Sequence, residues 1–167
     1  QHKQEIRRLA HLSVCGVLLR DRFGGRVKVG RDGRPREHYE LSAFDAKHLR
    51  AALLGAAEVL AAAGAQEILT LQQPPARATP GGPGWLDGFA GRLDAIGIDR
   101  CRMALISFHQ MASCSLAADP TRGAAGETGE TFELPGLYVA DASAFVTSSG
   151  VNPMITIMAI ADHVARG

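Results

Sequence analysis

An excess of charge of one sign is what this sequence most plainly lacks. Eighteen Lys and Arg stand against seventeen Asp and Glu, a formal net charge of +1. Composition therefore marks no surface for nucleic acid or for an anionic membrane. The basic residues are 15 Arg and 3 Lys beside 27 Ala, a compositional bias, so no single Arg reads as a phosphate clamp. Long apolar runs are missing too. The longest weakly polar stretch, Ala51 to Ala65, is broken by Glu58 and falls short of the ~18 to 20 residues of a transmembrane helix. Only three cysteines occur, Cys15, Cys101 and Cys114, widely spaced and odd in number, which excludes a disulfide framework. Buried free thiols in a reduced, cytoplasmic setting are the expectation.

Chemical signatures are equally sparse. No His or Cys pair has metal-ligand spacing, so no metal site is expected. Gly81-Gly-Pro-Gly84 makes neither a dinucleotide fingerprint nor a Walker loop. Ser143, Ser148 and Ser149 lie in no nucleophile elbow. What is present is a chain of 167 residues, 46% hydrophobic and 21% charged, enough for one medium domain with a core and too apolar for disorder.

Periodicity predicts an α+β fold with a mixed or antiparallel sheet and flanking helices. Leu12 to Arg20 reads as a strand buried on both faces, Arg26 to Val29 as a second and Glu37 to Leu41 as a third, a meander joined by Gly-rich turns. Ser42 with Asp45 three residues on resembles a capping box. Phe44, Leu49, Leu53, Ala57 and Leu60 then keep helical spacing up to a stop at Gly64. Gln66 to Leu71 is a strand, Gln72 to Gly84 a Pro- and Gly-rich loop, and Trp85 to Ile96 a helix. Arg102 to Phe108 reads as a buried strand ending at His109, and Leu137 to Asp141 as another after a long loop. The last helix runs from Pro153 to about Ala165.

Two places hold chemistry. Asn152-Pro153 starts a helix with Asn at the cap and Pro at the first helical position, where no amide bond is lost. The free amides and the positive end of the helix dipole suit an anion or an electron-rich acceptor, or the site is simply a well-capped helix. His109 stands where a strand meets a loop, and a neutral imidazole there can accept a hydroxyl proton near pH 7. A structural hydrogen-bonded histidine reads the same way, so spacing alone leaves function open.

Three segments taken together, His109-Gln-Met-Ala-Ser-Cys114, Gly136-Leu-Tyr-Val-Ala-Asp-Ala-Ser143 and Gly150-Val-Asn-Pro-Met-Ile-Thr-Ile157, resemble the C-terminal part of the glucose-methanol-choline (GMC) family of FAD-dependent oxidoreductases. Gly24-Gly-Arg-Val27, Asp32-Gly-Arg-Pro35, Tyr39-Glu-Leu-Ser42, Asp45 and Ala62-Ala-Gly-Ala65 fit that family's substrate domain. In detail the chain is most like the long-chain alcohol oxidase branch. The resemblance implies hydride transfer from a primary, long-chain alcohol to FAD, giving an aldehyde. It puts His109 in the place of the catalytic base and Asn152 in that of the second group bracketing the substrate oxygen. Such a pair suits a carbinol acquiring alkoxide character, which needs one base and one neutral donor. Asp141 and Ala142 then stand where the family's backbone touches the flavin ribityl and phosphate side, and Asn152, Pro153 and Met154 where a helix start approaches the flavin N1/O2 edge.

Departures accompany the resemblance. Ala112, Ser115 and Ala117 replace Gly, Arg and Gly of the usual HQMGTCRMG, Val146 replaces a Pro, and Ala124 to Glu127 stand for a valine-aspartate segment. The family's N-terminal dinucleotide-binding unit is absent from these residues. Neither an initiator Met nor a signal peptide opens the chain. The expected organisation is a GMC substrate-binding (cap) domain over 1–135, ending in the catalytic His strand and loop. A strand and helix over 136–167 would return to a missing FAD-binding half or subunit. The chain alone is expected not to retain FAD and to expose the apolar surface that should pack on that half. An association with membrane has no support in the sequence. The alternative is a non-catalytic, degenerate subunit that only assembles with a flavin-binding partner.

Overall fold

A computed structural model describes residues 2–99 and 101–167. In chain order its elements are α1 (His2–Arg7), β1 (Arg26–Val29), β2 (Pro35–His38), α2 (Ala43–Ala62), β3 (Ile68–Leu69), β4 (Arg77–Ala78), α3 (Trp85–Ile96) and α4 (Met154–Arg166). The chain divides into two compact units, Gln1–Val17 with Lys47–Ala104, and Leu18–Ala46 with Leu105–Gly167.

Local rules explain the first unit. Gly64 takes φ +89°, the Ala65 amide donates to the Leu60 carbonyl and the Gly64 amide to that of Ala61. Those two bonds close α2 with a left-handed glycine. The apolar stripe of α2 meets α3 and the antiparallel β3–β4 pair around Ala57, Ile68, Ala76, Ala78, Phe89 and Leu93. Phe89 and Leu93 are only 1% exposed, and each contributes about 1.5–3 kcal/mol by burial. Gln72, also 1% exposed, is the polar pin of this core. Its carboxamide nitrogen donates to the carbonyls of Leu93 (3.0 Å) and Gly97 (2.6 Å), while its Oε1 accepts the Thr70 hydroxyl at 2.9 Å.

The second unit holds every residue singled out for chemistry. β1 and β2 form an antiparallel hairpin, with Val27 opposite Glu37 and Lys28 opposite Arg36. Beyond it, bridges pair Leu116 with Ala125, Ala125 with Thr131 and Glu130 with Tyr138, so the long loop after His109 folds back on itself repeatedly. Gly129, at φ +83°, lets Val164 of α4 approach this framework, where a Cβ would lie 2.5 Å from Val164 Cγ2. The His163 Nε2 also lies 3.1 Å from the Glu127 carbonyl. The first turn of α2 belongs here as well. The Asp45 amide donates to Ser42 Oγ at 3.0 Å, one half of the expected capping box, and the Ser42 hydroxyl donates to Asp45 Oδ2 at 2.6 Å.

Several expected strands do not form. Leu12 to Arg20 is extended and pairs with nothing among the described residues, with Val14 89% exposed. The meander reduces to a hairpin whose second strand is Pro35–His38 rather than Glu37 to Leu41. Arg102 to Phe108 makes a single bridge, Gln72 with Met103, and then runs open, with Ile106 70% and Phe108 81% exposed. Leu137 to Asp141 keeps only the Tyr138 bridge, and the Gln72 to Gly84 loop contains β4. Among the described residues both sheets are two-stranded and antiparallel, so the α+β class and the antiparallel form of the expected sheet stand and the mixed form does not. The common cause is pairing. A strand exists only where a neighbour satisfies its N–H and C=O groups and covers its side chains, and an apolar run alone supplies neither. The cysteines depart from expectation likewise: Cys15 and Cys101 are exposed and Cys114 half-buried. No helix among the described residues is long and apolar enough to cross a membrane.

Candidate active site

His109 is half-buried at the end of the open segment Leu105 to Phe108. The turn that carries it is closed by Gln110, whose carboxamide donates to the Ser107 carbonyl at 2.9 Å. Three residues on, Ala112 adopts φ +62°, a left-handed conformation that costs a residue with a Cβ about 1–2 kcal/mol. Ala112 is one of the positions where the sequence departs from a family glycine, so the backbone keeps the glycine geometry without the glycine.

From that turn the chain runs beside the segment expected to face the cofactor. The amides of Ala112, Cys114 and Leu116 donate to the carbonyls of Ala142, Ser143 and Ala144 at 3.3, 3.0 and 3.0 Å. The His109 loop and the Asp141–Ala144 turn are thereby one hydrogen-bonded assembly. Asp141 caps the short 3₁₀ turn Ala142–Ala144, its Oδ1 accepting both the Ser143 amide and the Ser143 hydroxyl. These two bonds hold the Asp141 carboxyl below the usual carboxylate range.

Asn152 is exposed, and the structure corrects its expected role as helix cap. Pro153 takes the cap position with φ −89° and ψ −2°, and no side chain caps the helix. The first intrahelical bond is the Ile157 amide to the Pro153 carbonyl, at 2.9 Å. The first amides of the 13-residue α4 therefore find no partner within the helix. Pro153 is buried, whereas Met154 is 64% exposed. Among the described residues, neither the His109 imidazole nor the Asn152 carboxamide is engaged by another side chain or backbone group, and no hydrogen bond joins the two. Both are available to a third molecule.

One feature was not signalled by the sequence. Ser115, Leu116, Ala117, Ala118, Arg122 and Val146 line an open cavity of about 310 Å³ beside the His109 loop. His109 and Asn152 do not line it. Arg122 is its one cation, on the same cavity as the Ser115 that stands in place of a family arginine. Seven residues separate the two in sequence, and only the fold-back of the loop brings them to one wall. Among the described residues no three His, Cys, Asp or Glu side chains group to hold a metal.

Residues 23–161 match the model of the GMC oxidoreductase family. The chain belongs to that family. A long-chain-alcohol oxidase of Arabidopsis thaliana is 33% identical over 165 residues, 95% of this chain and 22% of the relative. A second Arabidopsis thaliana long-chain-alcohol oxidase is 33% identical over 156 residues, 92% of this chain and 20% of the relative. An uncharacterized GMC-type oxidoreductase of Mycobacterium tuberculosis is 31% identical over 160 residues, 95% of this chain and 24% of the relative. The chain thus spans about a fifth of the length of the GMC relatives it matches. No solved structure matches it.

Proposed function

We propose that this chain is the C-terminal catalytic segment of a flavin-dependent alcohol oxidoreductase that converts a primary, long-chain alcohol to its aldehyde. The observation that carries the reading is the three-rung backbone ladder between the His109 loop and Ala142–Ala144. It gives the base and the cofactor-facing turn a common rigid support, as positioned acid–base groups require.

The residues present fit FAD. The uncapped start of α4, with exposed Asn152 and Met154 beside it, offers unpartnered N–H groups to an electron-rich ring edge. Asp141 and Ala142 would help hold the group through their backbone. Bound there, FAD supplies the acceptor for the hydride that leaves the carbinol carbon. The chain's own residues do the rest. A ring nitrogen of His109 takes the hydroxyl proton, and the Asn152 carboxamide donates a hydrogen bond to the same oxygen without titrating. Removing the proton while that oxygen is held stabilises the negative charge developing on it, which is worth about 10²–10⁴-fold for a positioned base.

The apolar residues left open near these groups support a flavin-binding partner, a covalently joined half or a separate subunit. Leu105, Ile106 and Phe108 precede His109, and Met154, Ile155 and Met158 stand on α4, all at least 50% exposed. In this reading residues 1–135 form the substrate-binding cap and 136–167 return to the flavin side.

The test is anaerobic stopped-flow reduction of the flavin by 1-dodecanol in the protein containing this chain together with its flavin-binding partner. His109→Ala lowers the limiting rate at least about 10²-fold while flavin content stays the same. An unchanged rate refutes the assignment, and flavin that no alcohol reduces leaves the chain a non-catalytic assembly subunit.

A further inference from the structure

The turn that delivers Asn152 to the site does not support itself. Gly150, two residues before it, has φ +69°, and a Cβ there would stand 2.9 Å from Arg20 Cβ. Ser148 donates its hydroxyl to the Asp21 carbonyl at 3.2 Å, across 127 residues of sequence. The turn before Asn152 is therefore seated on the Arg20 side chain and the Asp21 backbone.

That backbone is held from its other side. The Arg22 amide donates to Asp45 Oδ1 at 3.0 Å. Asp45 is a carboxylate only 1% exposed, with its other oxygen accepting the Ser42 hydroxyl. The Arg22 guanidinium lies over the Phe44 ring, 4.8 Å from its centroid, and over that of Phe23 at 5.8 Å. Burial first, then the nearby charges of Asp21 and Asp45, push the pKa of Tyr39 up. A buried carboxylate is retained at a cost of desolvation and must be satisfied by its neighbours. Here part of that satisfaction comes from the segment that seats the Asn152 turn.

We infer that Arg20–Phe23 is the positioning element of the alcohol-oxidising site, anchored by Asp45 and transmitting its position to Asn152 through Ser148 and Gly150. Ser148 and Asp45 are positioning residues and touch no reacting atom. This rests on the reading of Asn152 given above. The chain of contacts runs from the capping box of α2 to the start of α4, so an alteration at Ser148 reaches the chemistry only by way of Asn152.

The experiment is a double-mutant cycle in the flavin-loaded protein, read as the limiting rate of flavin reduction by 1-dodecanol. Ser148→Ala removes one hydroxyl from a half-buried position and lowers that rate about tenfold. Apparent alcohol affinity, flavin content and the unfolding midpoint change little. Gly150→Ala, which must displace Arg20 or the turn, lowers the rate by about 10²-fold, the size of a 1 Å misplacement. In an Asn152→Ala background both effects shrink to less than about twofold, because the group being positioned is gone. A Ser148→Ala variant that keeps the wild-type rate overturns the inference. So does one whose tenfold loss persists in full without Asn152, since its action would then be general. If Asn152→Ala alone leaves the rate unchanged, the role of Asn152 falls first and takes the positioning element with it.

Discussion

Gly129 is a position where a single added methyl should damage the scaffold of the site. Its φ of +83° is left-handed, and a Cβ built on it meets Val164 Cγ2 at 2.5 Å, Val164 Cγ1 at 3.0 Å and the Val139 carbonyl oxygen at 3.0 Å. Val164 is the one buried residue within α4, so the clash falls on the contact that seats the helix. Gly129→Ala carries about 1–2 kcal/mol of backbone strain and about 1–3 kcal/mol of overpacking. The sum, about 2–5 kcal/mol, corresponds to roughly 2–4 °C of unfolding midpoint for each kcal/mol in a chain of this size. Val164→Ala alone removes two methyl groups and costs about 1–2 kcal/mol. The structure makes the pair non-additive: with both methyls gone the new Cβ meets only the Val139 carbonyl. The double variant should therefore be more stable than the sum of the singles by at least about 1 kcal/mol. Urea unfolding of the four proteins followed by far-ultraviolet circular dichroism measures this directly. Additive losses, or a Gly129→Ala variant within about 0.5 kcal/mol of wild type, would refute the contact between α4 and the Gly126–Glu130 turn.

Two other outcomes test the same structure. Ala112→Gly relieves a left-handed residue and stabilises the protein by about 1 kcal/mol, less the entropy gained by the unfolded chain; a loss of stability in the same unfolding assay would show that Ala112 is not held at positive φ. Gln72→Ala leaves the Gly97 carbonyl without its donor inside the core and destabilises by about 2–4 kcal/mol, whereas a change within about 0.5 kcal/mol would mean that the pin is not formed.

What could be read ahead of the structure was what short-range chemistry decides. Ser42 with Asp45, Gly64 after Leu60, and the Gly-rich turn between β1 and β2 each act within a few residues, and each is seen at the expected place. Gln72 escaped notice because it opens a stretch rich in Pro and Gly while its partners lie 21 and 25 residues away. The link from Ser148 to Asp21 spans 127 residues, beyond any local pattern. Asn152 was misread by one position: Asn at the cap and Pro at the first helical position is the favoured order, yet the first intrahelical bond falls on the Pro153 carbonyl. The pairing of His109 with Asn152 as candidates came from resemblance, not spacing, and their freedom from other partners is what the structure adds.

The misread strands carry information of their own. A run such as Leu105-Ile-Ser-Phe108 announces burial without saying against what, and a period-two rule converts that into a strand in this chain's own sheet. The structure leaves those side chains in the open, as it does Met154, Ile155 and Met158 on α4. Both groups flank residues proposed for chemistry, His109 on one side and Asn152 on the other. Isolated exposed apolar residues are ordinary, but contiguous ones beside a candidate site mark a surface that something covers. The chain spans about a fifth of the length of its GMC relatives, and a flavin-binding partner is the cover we propose. We therefore read the failure to form these strands as the same observation that supports the proposed flavin-binding partner: apolar side chains that the chain's own two-stranded sheets leave uncovered.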